Sequence, residues 1–240
     1  MSSDTLLTLE GVGKHFNGLA VLENVSFSLR PGEILGLVGP NGSGKTTAIN
    51  LISGIYQLDA GHIAFDGRSI DRMPAFRRVP LGINRTFQVP KPFHAMTVYE
   101  NVQVALHFGA HVARADEDAA VRAVLADIAL EDQAQSLASG LTVNQQKRLD
   151  LGRALATNPK LLLIDEIGAG LNPQELGVVA DLLLRLAKRG IALIVVEHLL
   201  DFLNRITNRV LVLNAGCELF EGTLTEASRN PDVIAAFIGG

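Results

Sequence analysis

The stretch from Ile34 to Thr47, ILGLVGPNGSGKTT, restricts this chain more than any other. A strand-like apolar run, Ile34 to Val38, enters a turn carrying Gly39, Gly42 and Gly44 and leaves in a helical pattern from Lys45 to Ile52. Gly39, Gly44, Lys45 and Thr46 satisfy G-x-x-x-x-G-K-[ST], the phosphate-binding loop. Glycines let backbone N–H groups converge on an anion with no side chain in the way. The helix that starts near Lys45 adds the positive end of its dipole. Lys45 can reach the terminal phosphates, and Thr46 offers a hydroxyl to Mg²⁺. Gly39, Pro40, Asn41, Gly42, Ser43, Gly44, Lys45, Thr46 and Thr47 are the expected phosphate-binding set.

A chain of 240 residues suggests one or two domains. Hydrophobic residues at 48% and charged residues at 19% describe a globular protein and not a disordered one. A net charge of −4 gives no support for a general nucleic-acid surface, so no nucleic-acid partner is expected. Cys217 is the single cysteine, so no internal disulfide forms and a reducing compartment fits. No apolar run approaches the length of a bilayer crossing; Ile191 to Val196 is strand-sized. Met1-Ser2-Ser3-Asp4 has neither a basic region nor an apolar leader. The expectation is a soluble, cytoplasmic chain without direct membrane insertion, which reaches the cytoplasmic face of an inner membrane only by docking to another protein.

Residues 6 to 30 read as strands, with Val25, Phe27 and Leu29 alternating with Ser26 and Ser28. Lys14 to Gly18 reads as a turn containing Phe16. His62 to Asp66 and Ile83 to Phe87 are further strands, and strands on both sides of the phosphate loop suggest a mixed sheet. After Gln88 comes a proline-rich segment, then Thr97 to Phe108 as a helix with Thr97 and Glu100 as a capping box. Residues 116 to 130 follow with Val121, Val124, Leu125 and Ile128 at helical spacing. Leu161 to Asp165 and Ile191 to Glu197 read as strands around a helix that begins at Asn172-Pro173. Leu199 to Ile206 reads as a helix, Val210 to Leu213 and Glu218 to Phe220 as a closing hairpin, and Thr223 and Asn230 as the starts of two short helices. The expected organisation is one α/β domain over 1–240. A sheet-bearing core spans about 1–88 and 158–222, an inserted helical subdomain about 89–157, and terminal helices about 223–238.

Leu161 to Asp165 ends in a pair of carboxylates, Asp165 and Glu166. A buried strand ending near the phosphate loop can present Asp165 to Mg²⁺, directly or through water. Glu166 can then polarise an attacking water as a general base.

These motifs in this order resemble the ATP-binding subunit of an ABC transporter, over nearly the whole chain. The resemblance implies an ABC-type P-loop ATPase fold with a mixed β-sheet core, and it implies ATP and Mg²⁺ as cofactors. Gln88 matches the family's Q-loop, which touches Mg²⁺ and the attacking water. His198 matches the switch histidine at the γ-phosphate, Phe16 the aromatic stacked on adenine, and Gly170-Leu171-Asn172-Pro173 the D-loop. The family signature, usually Leu-Ser-Gly-Gly-Gln, stands here as Leu141-Thr142-Val143-Asn144-Gln145, with Thr142, Asn144 and Gln145 at the nucleotide-facing positions. Residues 141–145 also read as a plain helix start capped by Thr142 or Asn144. Ile167 stands where the family has proline. Gly82 to Gln88, Phe93 to Asn101 and Asn230 to Gly239 resemble the ATPase subunits of bacterial branched-chain amino acid uptake systems.

The resemblance implies membrane permease subunits as partners, and a second ATPase subunit with which two ATPs are sandwiched. The departure at Asn144 favours a heterodimer over a homodimer. Competing readings are a soluble, non-transport ABC ATPase acting on ribosomes or DNA, a nucleotide-binding scaffold without turnover, and an ATPase for urea or amide uptake or lipopolysaccharide export. One phosphate loop and no long heptad run speak against ribosome- or DNA-acting members. Glu166 and His198 speak against the scaffold.

Overall fold

The computed structural model describes residues 5–109 and 116–238. The Met1–Asp4 segment behind the no-leader expectation, and Gly239 of the terminal match, lie outside the described residues. β1 (Leu7–Phe16) and β2 (Leu19–Leu29) form a hairpin closed by Asn17-Gly18, both at positive φ (50° and 81°). That is the turn geometry that suits the twist of two strands joined by two residues. Phe16 is therefore the last residue of a strand and not part of the turn.

β3 (Ile34–Val38) leaves the hairpin, passes through the glycine-rich loop and enters α1 (Lys45–Ser53). β4 (Ala60–Phe65) and β5 (Arg68–Ser69) join the hairpin in a four-stranded antiparallel sheet, order β2-β1-β4-β5. β6 (Ile83–Arg85), β7 (Leu161–Asp165), β8 (Ala192–Val196), β9 (Arg209–Asn214) and β10 (Cys217–Gly222) join β3 in a six-stranded sheet, order β10-β9-β3-β8-β7-β6. This sheet is parallel except for β10, which turns back against β9. The six-stranded sheet is thus mixed, as expected, and the hairpin strands stand apart in a second, antiparallel sheet. Tight turns allow only antiparallel neighbours, whereas parallel strands need long crossovers, so β1 and β2 pair with each other and β3 with β8 and β9.

Residues of the six-stranded sheet alternate between two cores. Leu35, Leu37, Leu161, Leu163, Ile194 and Leu211 face α1 and the four-stranded sheet. Leu162, Ile164, Leu193, Val195, Val210 and Val212 face the helices on the other side. Both faces are covered, which is why these strands read as unbroken apolar runs.

α2 (Ala75–Arg78) was not legible in the sequence, and its Arg78 holds the far end of α1. The Arg78 guanidinium is 1% exposed. It donates to the last carbonyls of α1, Leu51 at 2.7 Å and Ile52 at 2.9 Å, and to Ile70 at 2.6 Å and Met73 at 2.8 Å. A cation at a helix C-terminus satisfies orphan carbonyls and complements the dipole. Burial pushes this guanidinium down to about 10.

α3 (Val98–Gly109), α4 (Glu117–Asp127) and α5 (Val143–Leu155) pack on one another between β6 and β7 in the chain. The Thr97–Glu100 capping box is present. The strand expected over Ile83–Phe87 stops at Arg85, although the Thr86 N–H still reaches Leu163 O at 2.9 Å. The Phe87 N–H turns instead to the Asp150 carboxylate of α5 at 2.9 Å, so a side chain takes the donor that would have continued the ladder. α6 (Pro173–Lys188), capped by an Asn172–Glu175 box, and α7 (Leu200–Ile206) flank β8 in the chain. α8 (Leu224–Ala227) and α9 (Pro231–Ile238) end the described chain.

Candidate functional site

The loop between β3 and α1 takes its shape from its glycines. Gly39 has φ 151°, and a Cβ there would lie 2.1 Å from the Leu213 carbonyl oxygen. Gly44 has φ 103° at the N-cap of α1, and a Cβ there would lie 2.5 Å from Leu22 Cδ2. Strand β9 and the β2 strand therefore press on the loop from two sides and leave room only for glycine. Lys45 is 6% exposed, and its ammonium donates to the Gly39 carbonyl at 2.7 Å and the Pro40 carbonyl at 2.8 Å. Burial lowers its proton affinity, and the charges of Glu166 and Asp165 oppose that shift. Thr46 is exposed and Thr47 half-buried in the first turn of α1. Pro40, Asn41, Gly42 and Ser43 line an open cavity of about 630 Å³ shared with Asn214 and Asp232.

Asp165 and Glu166 stand at the C-terminal end of β7, beside β8 and one strand removed from β3. Asp165 is 4% exposed. Burial raises its carboxyl, and Arg85, 3.7 Å away, opposes the rise. Glu166 is brought together with two residues distant in sequence. Gln88 Nε2 donates to Glu166 Oε2 at 2.6 Å, and His198 Nε2 lies 3.3 Å from Glu166 Oε1. One carboxylate is thus held between an amide and an imidazole, with the Lys45 ammonium close enough to feel its charge.

Phe16 is 36% exposed and meets Tyr56 edge-on, with ring centroids 5.1 Å apart. Asp59 fixes the end of β1 by accepting from the His15 N–H at 2.7 Å and from Lys14 Nζ at 2.9 Å. Tyr56 and Asp59 escaped the sequence reading; a tyrosine and an acid just after a helix carry no motif of their own.

Thr142, Asn144 and Gln145 lie together at the start of α5. Thr142 is the N-cap, accepting from the Gln145 N–H at 3.3 Å, while the Gln145 side chain accepts from the Thr142 N–H at 2.9 Å. The capping reading and the signature reading therefore describe the same residues, with Thr142 and not Asn144 as the cap. Asn144 lines a cavity of about 100 Å³ with Arg148, Glu175 and Val178, and its Oδ1 is buried without a protein hydrogen-bond partner. Its side chain lies beside Glu175 and Val178 of α6. Among the described residues no hydrogen bond joins these three residues to residues 39–47.

Sequence reasoning missed four charged residues around the site: Arg85, Lys147, Asp150 and Glu197. Arg85 joins Asn50 of α1 (2.5 Å) to the Asp165 carboxylate. The others are buried and touch the site's backbone.

Residues 22–169 match the family described as ABC transporter. The chain is similar to the high-affinity branched-chain amino acid transport ATP-binding protein LivG of Salmonella typhimurium, with 36% identity over 252 aligned positions and 99% of each chain covered. It is similar in structure to an ATP-binding cassette of an ABC transporter solved in its ADP conformation. That match has a TM-score of 0.87 at 29% identity, over 98% of this chain and 99% of that one. A dimeric ATP-binding cassette in a post-hydrolysis state, bound to ADP and phosphate, gives a TM-score of 0.82 at 25% identity, over 91% of this chain and 99% of that one.

Proposed function

The chain belongs to the ABC transporter family as one of its ATPases, and on that premise we propose that its ATP hydrolysis drives uptake of branched-chain or related amino acids through a membrane permease. The observation that carries the reading is the Glu166 carboxylate, held by Gln88 and His198 beside the phosphate loop. The substrate class rests on the end-to-end similarity to LivG. The test is uptake by vesicles that contain the assembled complex and enclose ATP. Uptake of leucine, isoleucine or valine supports the reading. Uptake of urea or short amides in their place overturns the substrate class.

In this reading Lys45 and the N–H groups of the loop bind the phosphates, and Phe16 receives the adenine. Thr46, Gln88 and Asp165 offer oxygen donors of the kind Mg²⁺ takes. Among the described residues no group of three or more His, Cys, Asp or Glu forms a metal cage. That fits an ion bound partly by nucleotide phosphates. When bound, Mg²⁺ neutralises charge developing on the phosphates. Glu166 accepts the proton of the attacking water, while Gln88 and His198 hold its carboxylate in place.

No helix among the described residues is long and apolar enough to cross a membrane. Membrane association then runs through the permease, and the segment from Gln88 to Asn101 is the proposed docking face. Phe93 is 44% exposed and Met96 37%. The proline-rich sequence suggests a loose loop, but the fully buried Asn101 ties it down: Oδ1 accepts from the Phe93 N–H at 2.8 Å, and Nδ2 donates to the Phe93 and Thr97 carbonyls. A pre-shaped surface loses little entropy on docking. Replacing both Phe93 and Met96 with Glu is expected to leave ATP binding unchanged and to release the subunit from membranes. Sedimentation with permease-containing membranes measures this, and retained association counts against the assignment.

The second ATPase subunit is proposed to be a different chain. Asn144 stands where glycine lets the backbone approach a phosphate closely. With a side chain set beside α6, this position lacks the bare backbone that glycine offers the partner's nucleotide. The weaker composite site is then the one completed by this chain's signature. Asn144→Gly is expected to raise turnover several-fold at that site in the assembled complex. An isolated wild-type chain that dimerises with ATP and turns over as fast as the Gly variant removes the reason for an unlike partner.

A further inference from the structure

The turn that follows β7 is built in an unusual way. Glu166 has φ 50°, a left-handed conformation that a residue with a side chain adopts only at a cost. Its N–H donates to Val196 O at 3.0 Å. The carbonyls of the turn need partners too, because backbone polar groups removed from water must be paired. Those of Glu166, Ile167 and Ala169 all receive bonds from one side chain, the Lys147 ammonium, at 3.1, 3.4 and 2.7 Å. An ammonium has three N–H donors, and here each has a carbonyl.

Lys147 is 9% exposed, and a lysine is rarely buried unless something on the other side compensates it. That compensation comes first from Glu197 and second from Glu166, whose charges oppose the effect of burial on Lys147. Glu197 is 2% exposed and accepts the Gly168 N–H at 2.5 Å. A Cβ on Gly168 would lie 3.0 Å from the same carboxylate oxygen, so the turn presses close against it. The backbone of residues 166–169 is thus gripped from two sides, its carbonyls by a cation and one N–H by an anion.

Both gripping residues sit next to other parts of the site. Lys147 is on α5, five residues after Thr142, about 7.5 Å along the helix axis. Glu197 immediately precedes His198 at the end of β8.

We propose that Lys147 and Glu197 are positioning residues that fix the left-handed backbone of Glu166, so that the place of its carboxylate is set by the place of α5. The inference rests on the reading of Glu166 as the carboxylate that polarises water. The hydrogen bonds of both residues go to the turn, and each acts through it. Movement of the signature helix then shifts three carbonyls of the turn at once and carries the Glu166 side chain with them.

The experiment is ATP turnover in the assembled complex, with ATP affinity and thermal unfolding measured on the same preparations. Lys147→Met keeps the aliphatic stem and removes the donors. Its kcat is expected to fall by about 10- to 100-fold, the scale of a carboxylate displaced by about an ångström, with ATP affinity within about threefold of wild type. Lys147→Arg retains charge and donors and should keep turnover well above that of Lys147→Met. Glu197→Gln keeps an acceptor for Gly168 and removes only the charge; it reports on the same grip if Lys147→Met fails to fold, and its kcat should fall with affinity unchanged. In a Glu166→Gln background, Lys147→Met should lower kcat no further. Wild-type kcat in Lys147→Met or, where that variant does not fold, in Glu197→Gln overturns the proposal, as does a fall in ATP affinity parallel to the fall in kcat. Wild-type turnover in Glu166→Gln itself would instead remove the reading of Glu166 on which the proposal stands.

Discussion

Glu166→Gln is expected to lower ATP turnover by about 10²- to 10⁴-fold, the range that a positioned general base supplies. The amide has the shape of the carboxylate and still presents an oxygen to Gln88, which now donates to Glu166 Oε2 at 2.6 Å. It has no charge with which to draw a proton from water. ATP binding should survive, because the proposed phosphate contacts belong to the loop between β3 and α1. Nucleotide binding and phosphate release, measured on the same assembled complex, separate the two effects. Unchanged phosphate release would falsify the assignment of Glu166 as base.

Lys45→Ala divides the site the other way. The Lys45 ammonium lies close enough to Asp165 and Glu166 for their charges to oppose the lowering of its proton affinity by burial, while Arg85 is the nearer cation to Asp165. Without it, polyanionic phosphates meet two carboxylates with one fewer positive charge between them. Removing one partner from a buried, charge-assisted contact costs about 2–5 kcal/mol. ATP affinity is then expected to fall from about 30-fold to several thousand-fold. Titration with a fluorescent ATP analogue measures this, with thermal unfolding as the control for folding. An affinity within threefold of wild type would place the phosphates elsewhere than beside Lys45.

The two variants give opposite signatures because the residues come from different strands. Lys45 follows β3, and Glu166 follows β7. The sheet places β8 between them, and both strands end at the same edge. Gln88 and His198 join from β6 and β8 by the same geometry. A carboxylate that feels Lys45 and touches Gln88 and His198 is therefore a product of strand order, which no spacing along the chain encodes.

What the sequence determined by itself is what contiguous residues can specify. The phosphate loop needs glycine where Gly39 and Gly44 cannot hold a Cβ, so its residues stand as a readable string. The capping boxes at Thr97, Asn172 and Thr223 span four residues each, and each helix begins where its cap says. The central strands β3, β7, β8 and β9 were legible because burial on both faces demands unbroken apolar runs. The tertiary structure alone decided the division into two sheets, the end of β6 at Arg85, the direction of the Asn144 side chain and the grip of Lys147 on the turn after β7. In sequence terms Lys147 is one lysine on the face of α5 that also carries Leu151 and Ala154, an apolar stripe interrupted by a charge. That interruption is the only trace of its role. Its three acceptors lie 19 to 22 residues further on, and Glu197 gathers the other side of the turn from 29 residues beyond Gly168. A buried charge is tolerated only where such distant groups converge on it, and convergence comes from packing, after the chain has folded.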